Sequence, residues 1–592
     1  MKKEPPGTGR TALFAAACVF AACVFAACAF GQNATDYDEL PNPIATDAKA
    51  WSAIKSITAG WGDTDTRYRK ELPAGHTAKS ISLTAWRGEK VSAQIAVSSP
   101  RRLSALTFEA GNLTSSGSTI GKANMKTAFV RYVLADELQK DGQPTCNGRD
   151  QKEFSHFLVA DPIDHLTRSL DMEQNTTRCG WVSISVPRDA KAGTYRGSVE
   201  VKADGRTIAS LRLSLKVKDR TLPPAKDWKF HLDLWQNPYA VARYYNVEPF
   251  SDEHFRLMRP IMQLYADAGG KVITVPMVHR PWNGQTYDAF PSMITWMKKA
   301  DGTWAFDYTA FDRWVEFMMS MGVRKQISCY SMIPWKLSFS YLDQGTNSFK
   351  TIDARPGDKA YEQLWTEMLR SFAAHLKKKG WFGITHIAMD ERQLKDMLAT
   401  LEVIRKADNG FKVALAGSYH KELEHELDDY CVIINENFPA KSIARRREAG
   451  MNTTFYTCCT PPRPNTFIQS PPAESEWLAW HSAKEGLDGY LRWAFNSWTA
   501  SPLTDACFTA WPAGDPFLVY PDGRSSIRFE RMTEGIQQYE KVRLLKEEAR
   551  SKGNKSMLKK IENILSAFDE KQLDQTTATE AVNKAKAAIN RL

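Results

Sequence analysis

Hydrophobic and polar positions change their rhythm twice along this chain. From about residue 51 to 220 they alternate in short runs. Ile81 to Trp86 alternates, Arg87-Gly88 turns, and Val91 to Val97 alternates again; Gly197 to Lys202 and Ile208 to Val217 then flank Asp204-Gly205. An Asp-Gly pair between two alternating runs is the strongest short-range hairpin signal. Several such strands without helices between them predict an antiparallel β-sandwich. Leu222-Pro223-Pro224 closes it as a stiff linker, and the polar stretch from 32 to about 50, with Pro41 and Pro43, reads as a lead-in.

From about residue 226 apolar runs alternate with amphipathic ones. Lys229 to Trp235, Lys271 to Val275, Gln326 to Tyr330, Ile384 to Met389, Lys412 to Ala416, Cys431 to Ile434, Asn452 to Thr457 and Gly489 to Ala494 read as strands. Helical spacing falls between them, as in Asp252 to Ala268, Phe311 to Met321, Tyr361 to Lys379, Gln393 to Lys406 and Glu474 to Lys484. Strand-helix alternation predicts parallel βαβ units, and eight of them fit a (β/α)8 barrel with long loops. An open doubly wound sheet is the alternative, but no Gly-rich nucleotide fingerprint follows the first strand. After Asp522-Gly523 the pattern is helical: Ile527 to Ala549, Lys555 to Phe568 and Ala578 to Leu592, the last preceded by Thr577 and Glu580 at capping-box spacing.

The N-terminus adds a segment outside this scheme. Lys2, Lys3 and Arg10 precede an apolar run from Ala12 to Phe30, and Ala29-Phe30-Gly31 fits a signal-peptidase site before Gln32. Export to the periplasm or the extracellular space is expected. Phe25-Ala26-Ala27-Cys28 is similar to a lipoprotein processing site with Phe in place of the usual aliphatic residue, so a lipid anchor at Cys28 is a second reading. The expected organisation is a signal peptide over 1–31, a sandwich over 32–225, a barrel over 226–523 and a helical region over 524–592.

Composition changes this picture little. The chain is 43% hydrophobic and 25% charged, ordinary for a soluble globular protein. Its net charge of +10 is spread, and Lys377-Lys378-Lys379 and Arg445-Arg446-Arg447 fall at predicted helix ends, where cations suit the helix dipole. No basic motif with a nucleic-acid docking mode occurs. The cysteines beyond the leader are Cys146, Cys179, Cys329, Cys431, Cys458, Cys459 and Cys507. Their odd number and the lack of Cys-x-x-Cys spacing signal neither zinc nor a disulfide framework. Cys146 and Cys179 are a candidate pair, and Cys329, Cys431 and Cys458 read as small buried residues.

Candidate chemistry concentrates in Thr385-His-Ile-Ala-Met-Asp-Glu391, where an apolar run ends abruptly in two carboxylates. A barrel presents its catalytic groups at the C-terminal ends of its strands. The competing structural reading has Asp390 capping the next helix and Glu391 solvated in its first turn. The other strand ends supply Trp235, His279, Trp282, Tyr330, Trp335, Asn435, Tyr456, Trp493 and Trp498, an aromatic and carboxamide rim suited to sugar faces and hydroxyls. A phosphate site would want Gly-rich turns with Lys or Arg, and a metal site clustered His and carboxylates. Neither appears, so no metal or other cofactor is expected.

Two catalytic layouts suit a sugar. A conventional retaining glycosidase needs two carboxyl groups about 5–5.5 Å apart across the scissile bond; Glu436 or Asp233 are candidates for the second. Adjacent Asp and Glu suit substrate-assisted catalysis, in which a 2-acetamido oxygen attacks C1. The Asp then holds the acetamido N–H and the Glu serves as acid and base, its pKa raised by burial and by the neighbouring Asp.

Asp488-Gly-Tyr-Leu-Arg-Trp-Ala-Phe-Asn-Ser-Trp498, Ala510-Trp-Pro-Ala-Gly-Asp515, Leu518-Val-Tyr-Pro521, Ser525-Ser-Ile-Arg-Phe-Glu-Arg531, Trp86-Arg-Gly-Glu89 and Met389-Asp-Glu391 closely resemble glycoside hydrolase family 123. The resemblance extends over the whole chain beyond the leader. It implies a β-N-acetylgalactosaminidase with an N-terminal β-sandwich and a (β/α)8 barrel, retaining and substrate-assisted, with Asp390 as acetamido stabiliser and Glu391 as acid/base. The expected substrate is a glycolipid or oligosaccharide with terminal β-linked N-acetylgalactosamine, cleaved in exo mode. The substrate-binding residues His279, Trp335, Asn435, Tyr456 and Trp498 are candidates by strand-end position, and the Tyr456 hydroxyl is a candidate holder of the acetamido carbonyl. A β-N-acetylglucosaminidase of the same mechanism and a non-catalytic carbohydrate-binding surface protein are the alternatives.

Overall fold

The alternating first half of the chain folds into two sheets that share one core. In the computed structural model, which describes residues 36–140, 146 and 148–592, the first sheet runs Thr58–Gly62, Lys90–Ser99, Thr176–Ser185, Met125–Asp136, His156–Asp164 and Ser525–Ser526 in spatial order. The second is built on Ser80–Arg87, Arg206–Thr221, Gly193–Ala203, Leu103–Ala110 and Leu170–Met172. Ala93, Ile95 and Val97 from one sheet and Leu211, Leu213 and Leu215 from the other meet in the shared core. The signal-peptide reading over 1–31, with Cys18, Cys23 and Cys28, lies outside the described residues.

The Asp204-Gly205 hairpin forms as read. Asp204 at φ 53° and Gly205 at φ 71° join Ala203 to its partner Arg206. Arg87-Gly88 is different: it carries the chain from the second sheet into the first, and Ser80–Arg87 pairs in parallel with Arg206–Thr221. A turn between two alternating runs therefore need not make a hairpin when each run finds a better edge elsewhere.

The barrel strands are β1 His231–Leu234, β2 Val272–Pro276, β3 Gln326–Tyr330, β4 Thr385–Asp390, β5 Lys412–Ala416, β6 Asp429–Ile433, β7 Asn452–Thr457 and β8 Gly489–Arg492. All pair in parallel in one eight-stranded sheet ordered β1-β8-β7-β6-β5-β4-β3-β2. Strands covered by helices outside and packed inside are apolar on both faces, which is why short runs such as Val-Ile-Thr-Val-Pro in β2 are buried throughout. Closure between β1 and β2 rests on a single bridge, Leu232 to Gly270. Side chains complete it. The Tyr265 hydroxyl accepts from the Val272 N–H at 3.1 Å and donates to the Leu232 carbonyl at 2.9 Å, and the Gln236 carboxamide accepts from the Thr274 N–H at 3.0 Å.

Helix α1 (Pro472–Glu485) lies on the barrel and α2 (Ile527–Ser551) crosses it closely. Helix α2 also reaches the sandwich. Arg531 pairs with Asp65 of the sandwich half at 2.9 Å and with Glu476 of α1 at 2.5 Å, and Lys541 pairs with Glu89 at 2.6 Å, all nearly inaccessible. Ser526 caps α2 through the Phe529 N–H, and Thr577 with Glu580 forms the expected capping box on Ala578–Ile589.

The crossing of α1 and α2 depends on Gly535, where an added Cβ would stand 2.5 Å from the Glu476 carbonyl oxygen. Gly535→Ala is expected to lower stability by about 1–3 kcal/mol through overpacking, although alanine is the better helix former. Thermal unfolding measures this, and an unchanged midpoint would show that the two helices separate freely.

Cys146 pairs with Cys459, not with Cys179. Cys179 sits inside a sandwich strand between Ala96 and Val130, buried and free, where no loop cysteine reaches it. Cys329 and Cys431 are buried as read, whereas Cys458 is half-exposed.

Candidate active site

Strand β4 is buried along its whole length, so its last residue inherits that burial. Asp390 is 6% exposed. Its Oδ2 accepts the Trp335 indole N–H at 3.0 Å, while Oδ1 has no hydrogen-bond partner. The Arg392 guanidinium stands 3.7 Å from Oδ1 and lies over the Trp335 ring, 4.5 Å from its centre. Burial pushes Asp390 up to about 6, aided by the Glu391 charge and opposed by Arg392 and the indole N–H.

Glu391 turns the chain out of the strand with φ 47°, a left-handed conformation that costs a non-glycine residue about 1–3 kcal/mol. Its N–H donates to the Ala416 carbonyl of β5 at 2.6 Å, and Gly417 offers close backbone contact, since a Cβ there would lie 3.2 Å from the Glu391 nitrogen. The side chain is exposed, and Oε1 accepts the Tyr456 hydroxyl at 3.1 Å. The burial expected of Glu391 is therefore found at Asp390 instead. The capping alternative is not realised either: Gln393 precedes the helix Leu394–Ala407, with no side-chain cap.

Asp390, Glu391, Trp335 and Tyr456 line one cavity of about 290 Å³, near the low end of small-ligand pockets. Trp235, Trp282 and Trp493 form its aromatic floor with Tyr330 beside them. Ring centres are 5.1 Å apart for Trp235 and Trp282, 4.5 Å for Trp235 and Tyr330, and 5.3 Å for Trp282 and Trp493. The indole N–H groups of Trp282 and Trp493 have no partner in the protein, while that of Trp235 is directed to Asp233. Below the floor is a buried polar layer inside the barrel, where Asp429 accepts from Gln326 at 2.7 Å and lies 3.2 Å from His231. Asp233 belongs to this layer, pushed up to about 7 by burial and by Asp429.

The remaining candidates lie elsewhere. His279 is exposed and does not line the cavity. Asn435 is exposed beside a separate cavity shared with Glu436, His481 and Glu570. Glu436 accepts the Tyr419 N–H at 2.6 Å. Trp498 is wholly buried, donates to the Val519 carbonyl at 2.8 Å and packs on Tyr244. Alternation decides much of this: Leu491 faces the cavity from β8 and Trp493 from just past its end, Ile433 faces it from β6, and Asn435 lies past the strand on a turn. Position alone did not point to the wall formed by Gln285, Cys458, Thr460, Trp511, Asp515 and the Cys146–Cys459 disulfide. These come from loops without periodicity; the run ending at Asp515 was the one legible signal. Among the described residues no cluster of three or more His, Cys, Asp or Glu is placed to hold a metal ion.

Residues 235–545 match the family model for the glycoside hydrolase 123 catalytic domain, and 61–203 match that for the glycoside hydrolase 123 N-terminal domain. Among solved structures, the chain is similar to a family 123 glycoside hydrolase from Clostridium perfringens, described in work on glycolipid glycan hydrolysis. The two are 28% identical with a TM-score of 0.83, over 90% of this chain and 98% of that one. A GH5 xyloglucanase from Bacteroides ovatus aligns over 81% of this chain and 100% of its own, at 9% identity and a TM-score of 0.28, too low to bear on the site. No curated protein matches.

Proposed function

The chain belongs to glycoside hydrolase family 123, and from that premise we propose that it is a retaining exo-β-N-acetylgalactosaminidase whose nucleophile is the substrate's own 2-acetamido oxygen. The observation that carries this reading is the Oδ1 of buried Asp390, which takes no hydrogen bond from the protein, next to Glu391 in a cavity sized for one sugar ring. Neither Glu436 nor Asp233 lines that cavity to act as a protein nucleophile.

In this mechanism Asp390 is ionised and accepts the acetamido N–H on Oδ1, while Trp335 fixes Oδ2. Charge drawn toward the amide makes its carbonyl oxygen more nucleophilic and aims it at C1. That oxygen bonds to C1 as the C1–O bond to the aglycone breaks, and Glu391 gives its proton to the departing oxygen. The resulting oxazolinium is opened at C1 by water, whose proton Glu391 takes. Two inversions give net retention. The Tyr456 hydroxyl, already on Glu391, holds that carboxyl in place. The aromatic floor stacks against the apolar face of the sugar. A glycolipid aglycone is supported by the activity described for the Clostridium protein, and export is supported by the leader-like N-terminus and by the disulfide.

The test is the purified chain against paired chromogenic β-N-acetylgalactosaminide, β-N-acetylglucosaminide and β-galactoside. Turnover of the first alone is expected. Preference for the glucosaminide would overturn the choice of sugar but keep the mechanism. Comparable cleavage of the galactoside, which lacks the acetamido group, would sink the mechanism. Binding without turnover would favour the non-catalytic reading.

The pH profile gives a second check. Asp390 accepts the N–H as an anion, and its pKa is raised to about 6, so kcat/KM is expected to fall as pH drops through about 6. Trp335→Phe removes a hydrogen bond that favours the ionised form, and this acid limb is then expected to move to higher pH. An acid limb unaffected by the substitution would separate it from Asp390.

A further inference from the structure

One carboxylate on the cavity wall has no part in the proposed bond-breaking steps. Asp515 is 1% exposed and lines the same cavity as Asp390 and Glu391. Its Oδ1 is held by the Arg492 guanidinium, and its Oδ2 takes no donor from the protein. An acceptor buried in that way is costly unless something outside the chain pairs with it. Arg492 does not depend on Asp515 for its position, because it also donates to the Thr457 carbonyl, the Thr457 hydroxyl and the Asn465 carboxamide, each at 2.8 Å.

The place of Asp515 in the fold says which part of a sugar it meets. Its backbone carbonyl accepts the Ala494 N–H at 3.3 Å, just past β8, and its side chain is tied to Arg492 at the end of β8. In the strand order, β8 and β4 are half a turn of the barrel apart. Asp515 therefore stands across the mouth from the Asp390–Glu391 pair. In a pyranose, C4 lies across the ring from C1. A sugar with C1 and its 2-acetamido group at β4 turns its C4 edge toward β8.

We propose that Asp515 is a substrate-binding residue of this enzyme, with its free oxygen accepting the C4 hydroxyl of the sugar. The inference rests on the N-acetylhexosaminidase reading above and deepens it. Burial pushes the carboxyl up to about 6 while Arg492 favours its charged form, consistent with a strong acceptor once a hydroxyl reaches it.

The experiment compares wild type and Asp515→Asn on an aryl β-N-acetylgalactosaminide and on its 4-deoxy and 6-deoxy analogues. Wild type is expected to lose about 10–100-fold in kcat/KM on the 4-deoxy analogue. Asp515→Asn is expected to lose a similar factor on the parent, yet to treat parent and 4-deoxy analogue alike. A residue that merely holds the loop would lose equally on all three substrates, and that result would overturn the proposal. So would coupling to the 6-deoxy analogue instead, or an unimpaired variant. Complete loss on every substrate would make Asp515 a protein nucleophile and would also overturn it. Failure of wild type on every N-acetyl substrate would instead overturn the functional reading, and this inference with it. If Asp515→Asn does not fold, Asp515→Ser, which keeps a small acceptor for Arg492, is taken through the same comparison.

Discussion

Asp390→Asn is expected to lower kcat/KM on an N-acetylgalactosaminide by about a thousandfold, the scale for removing one preorganised electrostatic partner of the transition state, while making the protein more stable at neutral pH. The two effects share one cause. Burial holds the pKa of Asp390 near 6 against an ordinary value of 3.8. Below about pH 3.8 the carboxyl is protonated in both folded and unfolded chains and costs nothing extra. Between about 4 and 6 the unfolded chain ionises freely while the folded one resists, so the native state loses stability as pH rises. Above about 6 the loss is complete, at about 3 kcal/mol for a shift of roughly two pH units. Asparagine keeps the size and can still accept from Trp335 but carries no charge. Its stabilising effect is expected to be absent at pH 4 and full at pH 7.5, as read by thermal unfolding at both. A variant less stable than wild type at pH 7.5 would mean that Asp390 is held by favourable interactions and is not strained into place for its task.

Glu391→Gln is expected to cost about 10²–10⁴-fold in turnover, the range for general acid–base catalysis, with little change in melting temperature because the side chain is exposed. The loss should depend on chemistry in a way that misfolding would not. An aryl leaving group that departs as a stable anion needs no proton, so the first step with a dinitrophenyl substrate is expected to survive. Water attack on the intermediate still lacks its base, and azide, which needs none, is expected to restore turnover and give the β-glycosyl azide. An equal loss on good and poor leaving groups with no azide effect would remove Glu391 from the acid/base role.

What the sequence made legible is what local pattern encodes. All eight barrel strands appear where short runs without helical spacing sit between helical ones, because a strand buried on both faces is largely apolar, apart from the polar layer of His231, Asp233, Gln326 and Asp429 inside the barrel. Asp390 and Glu391 stood out because charge directly after such a run is conspicuous. Contacts set by distant partners were not legible. Closure of β1 onto β2 depends on Tyr265 and Gln236, and the crossing at Arg87-Gly88 depends on an edge offered by Arg206–Thr221. Cys459 finds Cys146 at a separation of 313 residues. Trp498 shows the limit of reasoning from strand ends: a few residues past β8 the chain has already turned inward, and an aromatic there fills the core.

The buried ion pairs of α2 carry a consequence for how this enzyme can be inherited and engineered. Arg531 finds its counter-charges in Asp65 of the β-rich half and Glu476 beside the barrel, and Lys541 finds its own in Glu89 of the β-rich half. Removing one member of a buried pair strands the other at a cost of about 3–5 kcal/mol. A barrel cut free of its sandwich would strand Lys541, whose partner is Glu89, and would leave Arg531 with Glu476 and Glu534 but without Asp65. The catalytic half is thus not a cassette to be shuffled onto a new carrier. Any lineage that trades the sandwich for another module must rewrite α2 in the same step.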